Sequence, residues 1–391
     1  MRRIAITGAV MAVLLSAGMV PDLPSARAAG RDAIVIGTIT DLSGPAAPYG
    51  HAVVNAMRMR IDALNAEGGL HGRWLRLVVE DHQFQVPRAV QAANKLINRD
   101  RVVAMVGNLG NAQTEAVLPQ LRQAGIPNLF PMAASRDLVQ GADSISWISG
   151  SLYYDQIRTG VKWMVTEKRK QAVCLLAQGT DFGREVQQAV QDQLAVHGQV
   201  LKEVVTHRPT DTDFTAQVTR LRAAGCDLVV LATLLRDTIL PMATARAMGW
   251  KDVDFLGPST THDYLLAAAP GGATQGLYSV SSLALPRHET APAAVAAWME
   301  AYRARFGAEP NAGAIYGAAL IDLAVLALDR AGGDFRLPRI AAAVQSIRGW
   351  RDAFGGTLQD FSDGSRQGTR QAYIYRLQGP HYARLGEVAG Y

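Results

Sequence analysis

The chain has 391 residues, a formal net charge of +5, 49% hydrophobic and 19% charged residues. That length exceeds one ordinary core and suits two domains, and its dispersed charge holds no Lys/Arg run of the kind that marks a nucleic-acid tail. Two cysteines and eight scattered histidines exclude a zinc cluster at ligand spacing.

The N-terminus reads as an export signal. Arg2 and Arg3 form a positive n-region, Ile4 to Val20 an apolar stretch, and Ala26-Arg27-Ala28 an A-x-A cleavage site. The competing reading, a retained anchor, is opposed by Pro21-Asp22, which ends the apolar stretch early. No Cys lies near the cleavage site, which argues against a lipid anchor, and the Arg2-Arg3 pair alone is thin support for a twin-arginine signal. Cleavage leaves about 363 residues at a charge near +3, since the signal carries Arg2, Arg3 and Arg27 against Asp22. Beyond the signal no uninterrupted apolar run is expected to span a bilayer. The mature protein is expected in the periplasm.

Along the mature chain, strand-like runs alternate with helical patterns. Strands are expected at 34–39, 75–80, 102–106 and 128–130, then after a break at 172–177, 200–205, 228–232 and 255–257. Helices are expected at 50–67, 87–99, 112–124, 154–167, 183–197, 213–224 and 238–248. Continuous Val/Ile/Leu runs suit parallel strands buried on both faces, and the rhythm predicts α/β lobes with doubly wound parallel sheets. It occurs twice. Further helices at 291–306, 312–331 and 338–346 and a strand-rich tail at 356–385 predict a chain that crosses back to the first lobe. The expected lobes are 29–151 with 283–372, and 152–282 with 373–391. Cys174 lies in a strand-like run and Cys226 follows a helix. Export permits a disulfide, but the two read as buried free thiols.

Several turns carry the functional signal. Ser43-Gly44-Pro45 is a turn at a strand's carboxyl end, where open α/β sheets place ligands. Gly107 to Gly110 is a strand-to-helix turn whose N–H groups are expected to grip a carboxylate or another acceptor. It lacks G-x-G-x-x-G and G-x-x-x-x-G-K-[ST], so a nucleotide site is not expected. Asp181-Phe182-Gly183 matches the kinase triplet, but no H-R-D loop or V-A-I-K strand accompanies it.

In order and spacing, IGTITDLSGPAAPYG (36–50), DALNAEGGLHGRWLRLVVED (62–81), AMVGNLGNAQTEAVLPQLRQAGIPNLFP (104–131), TDFGREV (180–186), ARAMGW (245–250) and FLGPS (255–259) resemble the periplasmic solute-binding proteins of ABC importers, leucine/isoleucine/valine branch. The resemblance spans nearly the whole mature chain. It implies two lobes joined by a multi-strand hinge (the type I periplasmic binding fold), solute capture by closure, a monomer, a permease partner in the inner membrane, and neither cofactor nor metal.

The resemblance also implies a site. The Ser and Thr that hold an α-carboxylate in the family fall at Asn111 and Ala134, with Ser135 adjacent. The second-lobe acid for an ammonium falls at Ser259, and a second-lobe Tyr at Leu234. Tyr49 agrees with the family's aromatic, and Phe182 is implied to lay a ring over the ligand. Met132 and Tyr153 complete an apolar, aromatic pocket, with His262 as a hydrogen-bonding candidate and Arg136, Arg236 and Tyr316 as further neighbours. Asp237 and Asp263 are the alternatives for the missing counter-charge, but both read more readily as surface acids. A buried ammonium without counter-charge costs several kcal/mol, so an aromatic or aliphatic carboxylic acid, or an amide, is expected over an ordinary amino acid. The alternatives are branched-chain amino acid binding and a ligand sensor. An exported enzyme finds no support: G-x-S-x-G and H-E-x-x-H are both missing.

Overall fold

Apolar strand residues and the crossovers between them set the architecture. A computed structural model describes residues 33–391 except Ala142; the expected signal, Met1–Ala28, lies outside the described residues. The first lobe begins β1 (Ile34–Thr40), α1 (Ala47–Ala66), β2 (Leu75–Asp81), α2 (Val86–Asn98), β3 (Ala104–Val106), α3 (Asn111–Ala124), β4 (Asn128–Leu129) and β5 (Ser146–Trp147). The second runs α4 (Tyr153–Thr166), β6 (Val173–Gln178), α5 (Asp181–Val196), β7 (Glu203–His207), α6 (Thr215–Ala223), β8 (Leu228–Ala232), α7 (Leu235–Ala247), β9 (Asp254–Gly257), α8 (Tyr264–Ala267) and β10 (Tyr278–Ser281). The chain then forms α9 (Ala293–Phe306), α10 (Ala312–Arg330) and α11 (Leu337–Gln345) and ends in β11 (Tyr373–Gln378) and β12 (His381–Arg384).

The first sheet has the order β2-β1-β3-β4-β5, all parallel. The second has the order β12-β11-β10-β9-β8-β6-β7, parallel from β10 to β7, with β11 and β12 antiparallel. Every residue of β6 and β8 is buried, as strands covered by helices on both faces require. In each sheet the winding reverses once, between β1 and β3 and between β6 and β8. Loops at the carboxyl ends of strands flanking such a reversal are where open α/β sheets place ligands.

α10 packs along α1 and against β3, returning the chain to the first lobe. This helix bears on the expectation that no uninterrupted apolar run spans a bilayer, and Asp322 interrupts it. Its 19 residues are long enough, and an 18-residue stretch of them with a mean hydropathy of 1.7 apolar enough, to cross a membrane by length and composition. Yet Ile315, Leu320, Ile321, Ala324 and Leu328 are fully enclosed by protein, so its apolarity is that of a core helix wedged between two clusters. The tail departs from expectation: regular strands begin only at Tyr373.

Three chain segments run side by side between the lobes. Ile148 pairs with Gln367, the Ser151 N–H donates to Ser282 Oγ at 3.3 Å, and the Thr357 N–H donates to the Ser282 carbonyl at 2.9 Å. The Gly150 N–H donates to Gln359 Oε1 at 3.0 Å.

Cys174 and Cys226 are joined in a disulfide, with Cα atoms 5.9 Å apart, which overturns the reading of two free thiols. They are 52 positions apart in sequence. The order of the second sheet places β8 directly against β6, and Cys226 just before β8 meets Cys174 on β6.

Candidate functional site

The candidate residues all sit where strands end. Tyr49 opens α1 after β1, and Asn111 opens α3 after β3. Met132 and Ala134 follow β4, and Tyr153 opens α4 after β5. Phe182 and Leu234 follow β6 and β8, and Ser259 and His262 follow β9. Phe182 and Leu234 thus flank the reversal point of the second sheet, and Tyr49 and Asn111 that of the first.

Contacts within the second lobe and across to the first draw several of these together. The Tyr153 N–H donates to the Ala134 carbonyl at 3.0 Å, and the Tyr153 ring meets Phe182 edge-on at 4.9 Å between centroids. Tyr49, Tyr153 and Tyr316 are near enough for their phenols to interact. Burial raises all three pKa values, so each keeps its proton and remains a hydrogen-bond donor. Tyr316 spends that proton on the Ser149 carbonyl, 3.0 Å away at the hinge. The Leu109–Gly110 loop and Met132 pair in β fashion.

The anion-binding equipment differs from expectation. The Ser43-Gly44-Pro45 turn is consumed internally: the Gly44 and Ala46 N–H groups donate to Asp41, and the Ser43 hydroxyl donates to Asp81. In the glycine loop, the N–H groups of Gly107, Leu109 and Gly110 already serve the carbonyls of Leu129, Ile39 and Met132. That corrects the picture of a loop with free donors. What remains is the first turn of α3, whose N–H groups have no intrahelical acceptor, and the Asn111 side chain, whose Nδ2 is buried without a partner.

Ser259 is held by its backbone. Its N–H donates to Gln156 Oε1 at 2.8 Å, and Gln156 Nε2 donates to the Ser151 carbonyl at 2.6 Å. His262 is enclosed between Tyr375, stacked at 4.2 Å, and Tyr382 at 4.5 Å. Both its ring nitrogens lack partners, and burial pushes its pKa down to about 3. The structure does not join this ring to the Tyr153–Phe182 pair.

The two supposed surface acids are buried: Asp237 is 4% exposed and Asp263 2%. Asp237 accepts from the Leu234 N–H and from Gln178 Nε2, and lies 3.3 Å from His207 Nε2. It therefore braces the loop that carries Leu234. Asp263 accepts from the Leu265 N–H at 2.7 Å, while its Oδ2 has no partner. An acid preceding a short helix reads equally as a surface cap, which is why burial was not legible.

Arg136 and Arg236 are both committed elsewhere. Arg236 is exposed and donates to the Pro209 carbonyl. Arg136 pairs with Glu185 of the other lobe at 3.4 Å and stacks 3.8 Å over the Tyr154 ring. Glu185 was missed, although it lies one helical turn after Phe182 and so shares its face. Burial pushes its carboxyl up to about 7, against the opposing pull of Arg136. Among the described residues no His/Cys/Asp/Glu group has metal-site geometry.

A family profile described as "Periplasmic binding protein" matches residues 33–381. A leucine-specific-binding protein of Salmonella typhimurium is 26% identical over 255 residues, 65% of this chain and 69% of that protein. Two solved structures share the fold. A fatty acid ABC transporter substrate-binding protein from Thermomonospora curvata has a TM-score of 0.81 at 23% identity, over 91% of this chain and 92% of that one. An ABC transporter solute-binding protein from R. palustris in complex with benzoate has a TM-score of 0.79 at 18% identity, over 90% and 96%.

Proposed function

This chain belongs to the periplasmic binding protein family, and from that premise we propose that it captures a small carboxylic acid or amide for an ABC importer. The observation that carries the reading is the convergence of Tyr153 and Phe182 of the second lobe with Ala134 of the first, with Asn111 Nδ2 buried and unpartnered at the start of α3. Asn111 and the first-turn amides of α3 are donors suited to an acid or amide oxygen. The rings of Tyr49, Tyr153 and Phe182, with Met132 and Leu234, offer an apolar bed for an aromatic or aliphatic body. Ser259 supplies no charge for an α-ammonium. The named ligands of similar proteins, leucine, fatty acid and benzoate, all carry a carboxylate.

The solute is held between the lobes 29–151 with 283–372 and 152–282 with 373–391, which close about the three-segment hinge. Closure is driven by whatever affinity the ligand has for the closed form over the open one. The partner is an inner-membrane permease, the protein acts as a monomer, and it is exported and cleaved after Ala28. The disulfide supports an oxidising compartment. Branched-chain amino acid binding stands as the second reading, favoured by the burial of Asp263.

Calorimetric titration with benzoate, hexanoate, benzamide, leucine, isoleucine and valine tests the ligand assignment. An acid or amide is expected to bind at micromolar levels or tighter, and more tightly than leucine. Micromolar leucine binding with no response to acids or amides would overturn the preference and leave solute binding intact.

A further inference from the structure

Asp263 is an unusual residue for its place. It belongs to the second lobe, in the turn between β9 and α8. Its carboxylate nonetheless acts on Tyr49 and receives help from the Ala312 amide, both in first-lobe helices. The side chain is almost wholly enclosed. Oδ1 is occupied by the Leu265 N–H; Oδ2 makes no hydrogen bond of its own, the Ala312 amide acting on the carboxylate without forming one. Among the described residues no Lys or Arg pairs with it, in contrast to Glu185, which has Arg136. A carboxylate oxygen buried without a donor is costly. Such an atom persists where a ligand supplies what the protein does not.

The surroundings fit a ligand-facing role. Asp263, Tyr316 and Tyr153 are all close enough to Tyr49 to act on its phenol, so the acid borders the aromatic bed, on a different loop from Asn111. We propose that Asp263 is a specificity residue that accepts a hydrogen bond from a hydroxyl or amide N–H on the ligand's body. The ligand class is then a carboxylic acid or amide whose apolar body carries one donor. Burial holds this carboxyl up to about 6, which suits a neutral donor as partner. The inference rests on the proposed capture of an acid or amide in this cleft.

Matched probes that differ by one donor test it: benzoate against 3- and 4-hydroxybenzoate, and hexanoate against 6-hydroxyhexanoate. In the intact mature protein, at least one hydroxylated probe should bind tenfold or more tightly than its parent acid. Asp263→Ala should reduce that ratio to about one. Asp263→Asn, which keeps an acceptor oxygen, should retain most of it. The ratio is the readout because loss of the α8 cap would weaken both members of a pair alike; thermal melts of each variant establish that it folds. Equal affinity within every pair for the unmodified protein, or a ratio that survives Asp263→Ala, would overturn the role of Asp263 while leaving acid binding standing. Failure of every acid and amide to bind would overturn both.

Discussion

The Arg136 N–H donates to Glu185 Oε1 at 3.0 Å, and the Arg136 guanidinium lies 3.4 Å from the same oxygen. Arg136 belongs to the first lobe, in the loop after β4. Glu185 belongs to α5 of the second lobe, one turn beyond Phe182. One carboxylate oxygen therefore ties the lobes together at the edge of the aromatic site.

If the lobes close as proposed, this tie should make closure pH-dependent. Ser135, Arg136 and Asp137 face Glu185 from the loop after β4, Tyr153 faces it from α4, and Glu115 on α3 shares Ser135 with it, near Arg184 on α5. Burial is the largest influence and raises the Glu185 carboxyl from 4.5 to about 7. A carboxyl raised in the closed form and ordinary in the open form favours closure below pH 4.5 and loses that contribution as pH rises through about 7. Ligand binding between pH 5 and 7 should therefore take up a fraction of a proton, measured by calorimetry in buffers of different ionisation enthalpy. Glu185→Gln should remove most of that uptake. Uptake that is nil in the unmodified protein, or unchanged in the variant, contradicts the linkage.

The ring of Phe182 should matter to the ligand more than to the fold. It contacts Tyr153 across a 4.9 Å centroid distance, and truncation to Ala removes an apolar face worth roughly 1–3 kcal/mol. Affinity for the best acid or amide probe should fall about 5- to 150-fold. An unaltered dissociation constant would place the ligand elsewhere.

The disulfide should carry stability. Closing a loop with a sequence separation of 52 restricts the unfolded chain by about 4 kcal/mol in the entropic account. Reduction, or replacement of both Cys174 and Cys226 by Ala, should lower the denaturant midpoint accordingly. A midpoint insensitive to reductant would show that the crosslink contributes nothing.

His262 should be a burden on stability. Its ring is enclosed by Tyr375 and Tyr382 with neither nitrogen bonded. Its pKa of about 3 lies below the unfolded value of 6.5, so the unfolded state binds the extra proton and stability falls as pH drops from about 6.5 toward 3. His262→Phe keeps an aromatic ring and removes that proton site. The melting temperature of the variant, relative to the parent, should rise as pH is lowered from 7.5 to 5. A gap that does not widen would refute this.

How much was legible in the sequence depended on what decides each feature. Strands β1, β6 and β8 and helices α3, α10 and α11 could be read to within a residue or two, because local apolar runs and glycine or proline punctuation fix them. β5 and β10 escaped. Ser146–Trp147 has only two residues, and Tyr278–Ser281 alternates polar and apolar residues although all four are buried. The disulfide and the burial of Asp237 and Asp263 depend on sheet order and lobe contact, which no local window contains. The motif TDFGREV pointed to Phe182 and contains Glu185 as well, but the role of Glu185 escaped, because its partner lies 49 positions earlier on the other lobe.

The central claim is capture of a solute by closure of two lobes, and small-angle X-ray scattering tests it most directly. Profiles of the mature protein should be collected without ligand and with a saturating concentration of the tightest acid or amide found by titration. The account predicts a smaller radius of gyration with ligand, and a liganded profile that matches the lobe arrangement in which Arg136 meets Glu185. Identical profiles, with binding confirmed in the same sample and the unliganded protein as open as before, would contradict it.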